Sequence, residues 1–210
     1  MIKYTFKNET ADECLKVALK DPYAINSIKS ERVYNEVCEY LVKMNPINLK
    51  YVDYQSPCVK EIAVKTNPFA IVYATPLTRE LCLKAVKANG MTLEYINTPP
   101  FMYDEGIALA AVIQNPMAIK FVHKQTPLVC LEAVRGNGAL IEWCEYTDDY
   151  IFSEAIKHSP DDVYEFLIKV YGEANIPINL YGDYIAAKQI RTTAGWKVSE
   201  YFKKLFHNFF

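Results

Sequence analysis

Histidine, glycine and closely spaced cysteine pairs are all scarce in this chain, and each shortage closes off a class of chemistry. Three histidines and no CxxC pair leave nothing with the short ligand spacing that a zinc site uses. Only seven glycines are present, and no Walker A loop, dinucleotide fingerprint, HExxH or GxSxG occurs. No run of about 18 apolar residues exists to span a bilayer. The most apolar stretch, Ile107 to Val122, is interrupted by Gln114-Asn115-Pro116. Neither sign of charge dominates: a net −2 gives no overall drive towards nucleic acid or an anionic membrane. The expectation is a non-enzymatic protein with no catalytic residue, no metal, no cofactor and no membrane partner.

The first residues, Met1 to Glu9, lack the apolar core of a secretory leader. Six cysteines without a paired motif then read as reduced, mostly buried thiols, and the default location is cytoplasmic. The sequon Asn8-Glu9-Thr10 is treated as coincidence on the same ground.

What the chain does have is a period. The dipeptides Asp21-Pro22, Asn45-Pro46, Asn67-Pro68, Asn89-Gly90, Asn115-Pro116, Asn137-Gly138 and Ser159-Pro160 stand 24, 22, 22, 26, 22 and 22 residues apart. A fixed spacing in this range marks a repeat architecture. Around each hinge the apolar columns keep register. Seven residues before it stand Cys14, Cys38, Cys82, Ala108 and Cys130; four before, Ala63, Ala85, Ala111, Ala133 and Ala155; three before, Val42, Val64, Val86, Val112, Val134 and Ile156. Those positions share one face of an α-helix. Four after the hinge comes an aliphatic residue, from Ile25 to Ile141. Six after comes a large aromatic: Tyr51, Tyr73, Tyr95, Phe121 or Trp143.

Each unit therefore reads as two short helices. Ser56-Pro57 and Thr126-Pro127 supply a hydroxyl cap followed by a proline at the first helical position, and Thr75-Pro76 does so a little ahead of its helix. The hinge starts a second helix of roughly two turns. Because proline and glycine alternate in the same slot, its φ lies near −65° rather than in the left-handed region. The fold class is all-α: a solenoid-like array of about seven two-helix repeats over residues 1–167, then a C-terminal helical cap over 168–210. Within that cap, Tyr184 to Thr193 reads as a helix. Trp196 to Phe209 reads as an amphipathic one that closes the array or mediates oligomerisation.

Two of these phrases, Leu81-Cys82-Leu83-Lys84-Ala85-Val86-Lys87-Ala88-Asn89-Gly90 and Thr126-Pro127-Leu128-Val129-Cys130-Leu131-Glu132-Ala133-Val134-Arg135-Gly136-Asn137-Gly138, carry a resemblance. They are similar to an uncharacterised short helical repeat of about 22 residues, a domain-of-unknown-function family found in bacterial, phage and giant-virus proteins. The resemblance covers about residues 10 to 167 and implies a helical array with no assigned catalytic residues. By association alone it points to a phage- or mobile-element-encoded inhibitor of a bacterial defence (CRISPR-like) complex, with a host immune effector complex as the partner.

Two candidate sites follow from the residues. The break of 26 residues inserts Pro99-Pro100-Phe101-Met102-Tyr103-Asp104, a proline-stiffened loop with three large apolar groups. Phe101, Met102, Tyr103 and Asp104 are the candidate protein-binding residues; the bland alternative is a loop folded back over its own core. Two residues before the hinges stand Lys43, Lys65, Lys87, Arg135 and Lys157, a basic column that stacked repeats would align to track phosphates. The competing reading is that cations favour the last turn of a helix. Protein binding is favoured, nucleic-acid or ribonucleoprotein binding is the alternative, and a structural or oligomerisation scaffold comes third. The paired carboxylates Asp148-Asp149 and Asp161-Asp162 fall at helix starts, where the helix dipole accounts for them.

Overall fold

The hinge asparagine ends one helix and starts the next, and that double role organises the molecule. The computed structural model describes residues 4–7 and 9–191. At Asn67 the backbone is extended, with φ −142° and ψ 110°, as a residue before proline prefers. Its N–H donates to the Ala63 carbonyl and closes the last turn of α3 (Pro57–Thr66). Its side-chain oxygen accepts from the Phe69 N–H at 3.0 Å, and its carbonyl accepts from the Ala70 N–H at 2.9 Å. The same side-chain bond recurs at Asp21, Asn45, Asn89, Asn115 and Asn137, between 3.0 and 3.1 Å.

Six of the seven hinges, from Asp21 to Asn137, open a six-residue 3₁₀ helix, so there the second helix of two turns is present, wound with three residues per turn. The pairs are α1 (Ala11–Ala18) with η1 (Pro22–Ser27), α2 (Glu31–Met44) with η2 (Pro46–Tyr51), and α3 with η3 (Pro68–Tyr73). Then come α4 (Arg79–Ala88) with η4 (Gly90–Tyr95), the single turn η5 (Phe101–Tyr103), α5 (Glu105–Gln114) with η6 (Pro116–Phe121), and α6 (Pro127–Gly136) with η7 (Gly138–Trp143). Residues three apart eclipse in a 3₁₀ helix, which sorts each one into faces. In η3, Ala70 and Ile71 point inward with the cap residue Ala74 below them, while Phe69 and Val72 look outward.

Each α-helix packs on the α-helix before and after it, and each six-residue 3₁₀ helix does the same with its counterparts. The fold is all-helical among the described residues, with one row of α-helices and one of 3₁₀ helices. The columns seven, four and three before the hinge fill the core between the rows: Cys14, Cys38, Cys82, Cys130 and the five alanines are completely buried. Small side chains here let neighbouring helices approach closely, at interior packing density.

Gly90 and Gly138 hold no left-handed φ, as the proline–glycine alternation requires; among the described residues Gly172, at φ 76°, is the positive-φ glycine. They are glycine because of the next helix: a Cβ on Gly90 would stand 2.3 Å from the Ala111 carbonyl oxygen, and one on Gly138 would stand 2.0 Å from that of Ala155.

Three local expectations are corrected. Thr75-Pro76 does not start α4. Thr78 does, its hydroxyl accepting from the Leu81 N–H three residues on, and Thr75-Pro76 is a cis peptide in the preceding turn. The Ser159 hinge opens a longer α-helix, α8 (Pro160–Tyr171), instead of a helix of roughly two turns. Its shorter side chain makes no capping bond and donates instead to Asn137 Oδ1 at 3.2 Å, so nothing enforces the tight turn. The helix expected over Tyr184 to Thr193 begins earlier, as α9 (Ile178–Arg191). α9 packs on α7 (Asp149–His158) and α8, and Leu180 joins Ile151, Phe152 and Leu167 in one buried cluster. The amphipathic segment Trp196 to Phe209 lies outside the described residues.

Candidate functional site

The basic column is where its spacing puts it, at exposed last turns, but much of its charge is already used. Lys43 pairs with Glu39 at 3.6 Å. Arg135 reaches Glu132 at 2.7 Å and Glu154 at 3.6 Å, and Lys157 shares Glu154. Those neighbours raise the Arg135 and Lys157 pKa values and lower that of Glu154. Lys65 and Lys87 are exposed and make no ion pair among the described residues. Exposed pairs of this kind are individually weak, but the carboxylates leave two free cations where a ladder of five was expected.

The inserted loop divides its residues between structure and surface. Phe101 packs against the core beside the half-buried Met102. Asp104 caps α5, its Oδ1 accepting from the Ile107 N–H at 3.0 Å, and both its oxygens meet Arg79. Tyr103 alone stays largely outside, at 54% exposure, and lies edge-on to His123 with ring centroids 6.4 Å apart. In chain position it stands twelve residues before its hinge, the slot that Gln55 and Gln125 fill in the third and sixth units. Those two amides clamp the far end of the 3₁₀ helix: Gln55 donates to the Tyr73 carbonyl and accepts from the Thr75 N–H, and Gln125 does the same at Trp143 and Glu145. In the fifth unit an aromatic ring replaces that clamp.

His123 brings the loop to the 3₁₀ row. With Glu94, Asn97, Lys120 and Phe121 it lines a groove of about 350 Å³ between the ends of η4 and η6. At two places along this row the residue two after one hinge meets the aromatic six after the next. Tyr23 packs edge-on against Tyr51 at 4.7 Å, and Phe69 against Tyr95 at 5.9 Å. Lys120 sits over the Trp143 ring at 4.2 Å, a cation–π contact between successive units. The row remains partly open to solvent: Tyr23 is 63% exposed and Trp143 45%. The sequence shows the aromatic column but not the partners that Tyr51 and Tyr95 meet in the preceding unit. The signal was present as Tyr23, Ile47, Phe69, Met91 and Met117, all large and apolar at one position after the hinge.

The shorter break, near Lys29-Ser30, carries an open groove of about 800 Å³ lined by Asn26, Glu31, Tyr34, Asp53 and Tyr54. Asn26 and Tyr34 are held by hydrogen bonds within it. Tyr34 donates to Asn26 Oδ1 at 3.3 Å and accepts from the Tyr54 N–H at 2.9 Å, while Asn26 donates to the Tyr51 carbonyl. Burial raises the Tyr34 pKa well above that of a free phenol, so it stays protonated.

Lys60 breaks the cysteine column and escaped notice in the sequence. It is 6% exposed, its Nζ donates to the Pro76 carbonyl at 2.8 Å, and burial lowers its pKa. Among the described residues no group of three or more His, Cys, Asp or Glu side chains could hold a metal, and no helix is long and apolar enough to cross a membrane.

Comparison with known proteins agrees with the resemblance in kind. No curated protein and no solved structure matches the chain. Residues 78–126, from the cap of α4 to the cap of α6, are similar to an uncharacterised family described as a domain of unknown function, DUF4116.

Proposed function

We propose that the chain is a non-enzymatic helical solenoid that binds another protein along its 3₁₀ row, centred on the groove between η4 and η6. The observation that carries this reading is the meeting of the insertion with the row. Tyr103, the exposed residue of the one large departure from the repeat, stands against His123 on the groove that the row's aromatics continue. Insertions in repeat proteins often map to the binding face. Half-exposed Tyr, Trp, Phe and Met on a rigid support are the side chains that dominate interface hot spots. Packing of every unit on its immediate neighbours supports the solenoid. Inhibition of a host immune effector complex follows from the family resemblance; the surface itself supports the broader class of protein ligand.

Co-purification of the full chain from its natural host should recover a stoichiometric protein partner. Tyr103→Ala combined with Trp143→Ala should weaken its retention at least tenfold while the helical circular dichroism stays unchanged. Phe101 is left intact because it supports the core. Undiminished retention by the folded double variant would remove the 3₁₀ row from the account.

A further inference from the structure

The groove of about 800 Å³ at the shorter break carries two carboxylates, Glu31 and Asp53, and no cationic side chain in its lining. Lys29 and Arg32 flank Glu31 in the chain, but neither lines the groove. Among the described residues neither carboxylate makes an ion pair. The basic column shows the contrast, since three of its five members already meet glutamates. Here negative charge faces an open cleft with no partner of its own.

The wall that bears Asp53 and Tyr54 is fixed through the main chain. Asn26 Oδ1 accepts from the Asp53 N–H at 3.2 Å, and the Tyr34 hydroxyl accepts from the Tyr54 N–H at 2.9 Å. In the third and sixth units Gln55 and Gln125 hold the residue eight after the hinge in the same way, at Thr75 and Glu145. Asn26 and Tyr34 therefore do the structural work, and the Asp53 and Tyr54 side chains are left to solvent. Tyr54 is 85% exposed and makes no ring contact among the described residues. Neither residue belongs to a helix.

We propose that this groove takes an arginine side chain from a basic segment of a partner protein. The guanidinium lies on the Tyr54 ring and hydrogen-bonds to Asp53, and Glu31 adds to the negative field. Charge complementarity selects the cation, and the aromatic ring selects its kind. A guanidinium is planar and weakly hydrated, stacks on an aromatic face and presents paired N–H groups to a carboxylate, which an ammonium does not. Ile28 and Pro57 line the same groove and offer apolar surface to the aliphatic stem. The volume falls within the range of about 300–1,000 Å³ in which ligand clefts lie, with room for neighbours of the arginine. This site is separate from the groove between η4 and η6 and stands whether or not the 3₁₀ row binds a protein.

The test titrates the full chain into a fluorescein-labelled tetra-arginine peptide, blocked at both ends, and follows fluorescence anisotropy at low ionic strength. Saturable binding is expected. It should weaken at least about tenfold in Glu31→Gln/Asp53→Asn and about two- to fivefold in Tyr54→Ala. All three positions are exposed, so the helical circular dichroism should stay unchanged. Asp162→Asn/Glu165→Gln, at exposed carboxylates on α8, and Tyr103→Ala/Trp143→Ala, on the other groove, should bind the peptide as wild type does. Unlabelled tetra-lysine and spermine, equal in charge, should compete less well than unlabelled tetra-arginine. Absence of saturable binding, undiminished binding by the folded Glu31→Gln/Asp53→Asn variant, or an equal loss in the α8 variant would overturn the proposal. Competition by spermine as strong as by tetra-arginine would also overturn it, giving the groove to free polyamines.

Discussion

Asp104 binds Arg79 through both carboxylate oxygens, at 2.7 Å to Nε and 3.1 Å to Nη2, across 25 residues of chain. The same carboxylate caps α5. One residue therefore anchors the inserted loop to the preceding repeat and starts the next one, so the loop's exposed tip is presented by a fixed base.

Replacing Asp104 separates those roles. Asp104→Ala loses cap and ion pair, and should cost about 1–2 kcal/mol, mostly from the cap. Asp104→Asn keeps an oxygen for the Ile107 N–H and should cost no more than about 0.5 kcal/mol, because Arg79 is more than half exposed and the pair is screened. The Arg79 guanidinium lowers the Asp104 pKa. Stability from this carboxylate is therefore complete above its ordinary value of about 3.9 and lost as pH falls through the lowered one. Denaturation of wild type and Asp104→Asn between pH 7 and pH 3 should show the gap closing at acid pH.

The glycines make a matched comparison. Gly138→Ala drives a methyl group into the Ala155 carbonyl, which is main chain and has little freedom to move. It should cost about 1–3 kcal/mol or more. Gly182 sits inside α9 with nothing within 4 Å of the space a Cβ would take. Gly182→Ala should add about 0.5–1 kcal/mol by raising helix propensity and lowering the entropy of the unfolded chain. Urea denaturation of the two variants decides both; destabilisation by Gly182→Ala would contradict the open surroundings of that site.

What could be read from the chain in advance was what is local. Asn67 fixes its own backbone and closes bonds only a few residues away, so the dipeptide period announces helix ends directly. The cysteine and alanine columns follow because a buried face repeats with the helix. The 3₁₀ winding was not legible, since over six residues periods of 3.0 and 3.6 place almost the same side chains inward. The site depends on distances that no local pattern encodes: Tyr103 to His123 spans 20 residues and Asp104 to Arg79 spans 25. Both are set by how the insertion settles against its neighbours.

The basic column yields a prediction about charge. With Lys43, Arg135 and Lys157 held by glutamates, Lys65 and Lys87 face solvent without an ion pair among the described residues. A protein that tracked phosphates with these two would lose about two ions' worth of salt dependence in Lys65→Glu/Lys87→Glu. Under the protein-ligand reading, retention of the natural partner should be unchanged by that double substitution and nearly flat in salt. A steep salt dependence abolished by the double variant would move the site from the 3₁₀ row to the α-helix ends.

Lys60 offers the sharpest energetic test, because its column is built for a small apolar side chain. Its ammonium is withdrawn from water, and among the described residues it meets one carbonyl and no carboxylate. Burial lowers its pKa below the ordinary value of about 10.4. Between the lowered and the ordinary value the unfolded chain holds a proton that the folded chain has released, so stability rises with pH across that window. Below it the desolvation penalty is felt in full. Lys60→Met fills the same space without the charge, and the Pro76 carbonyl it frees belongs to an exposed residue that water can serve. The variant should therefore be more stable than wild type at pH 7, with Tm higher by roughly 2–4 °C for each kcal/mol gained. That advantage should shrink as pH rises towards 10. A less stable variant, or a gap independent of pH, would mean that the Pro76 hydrogen bond outweighs the buried charge.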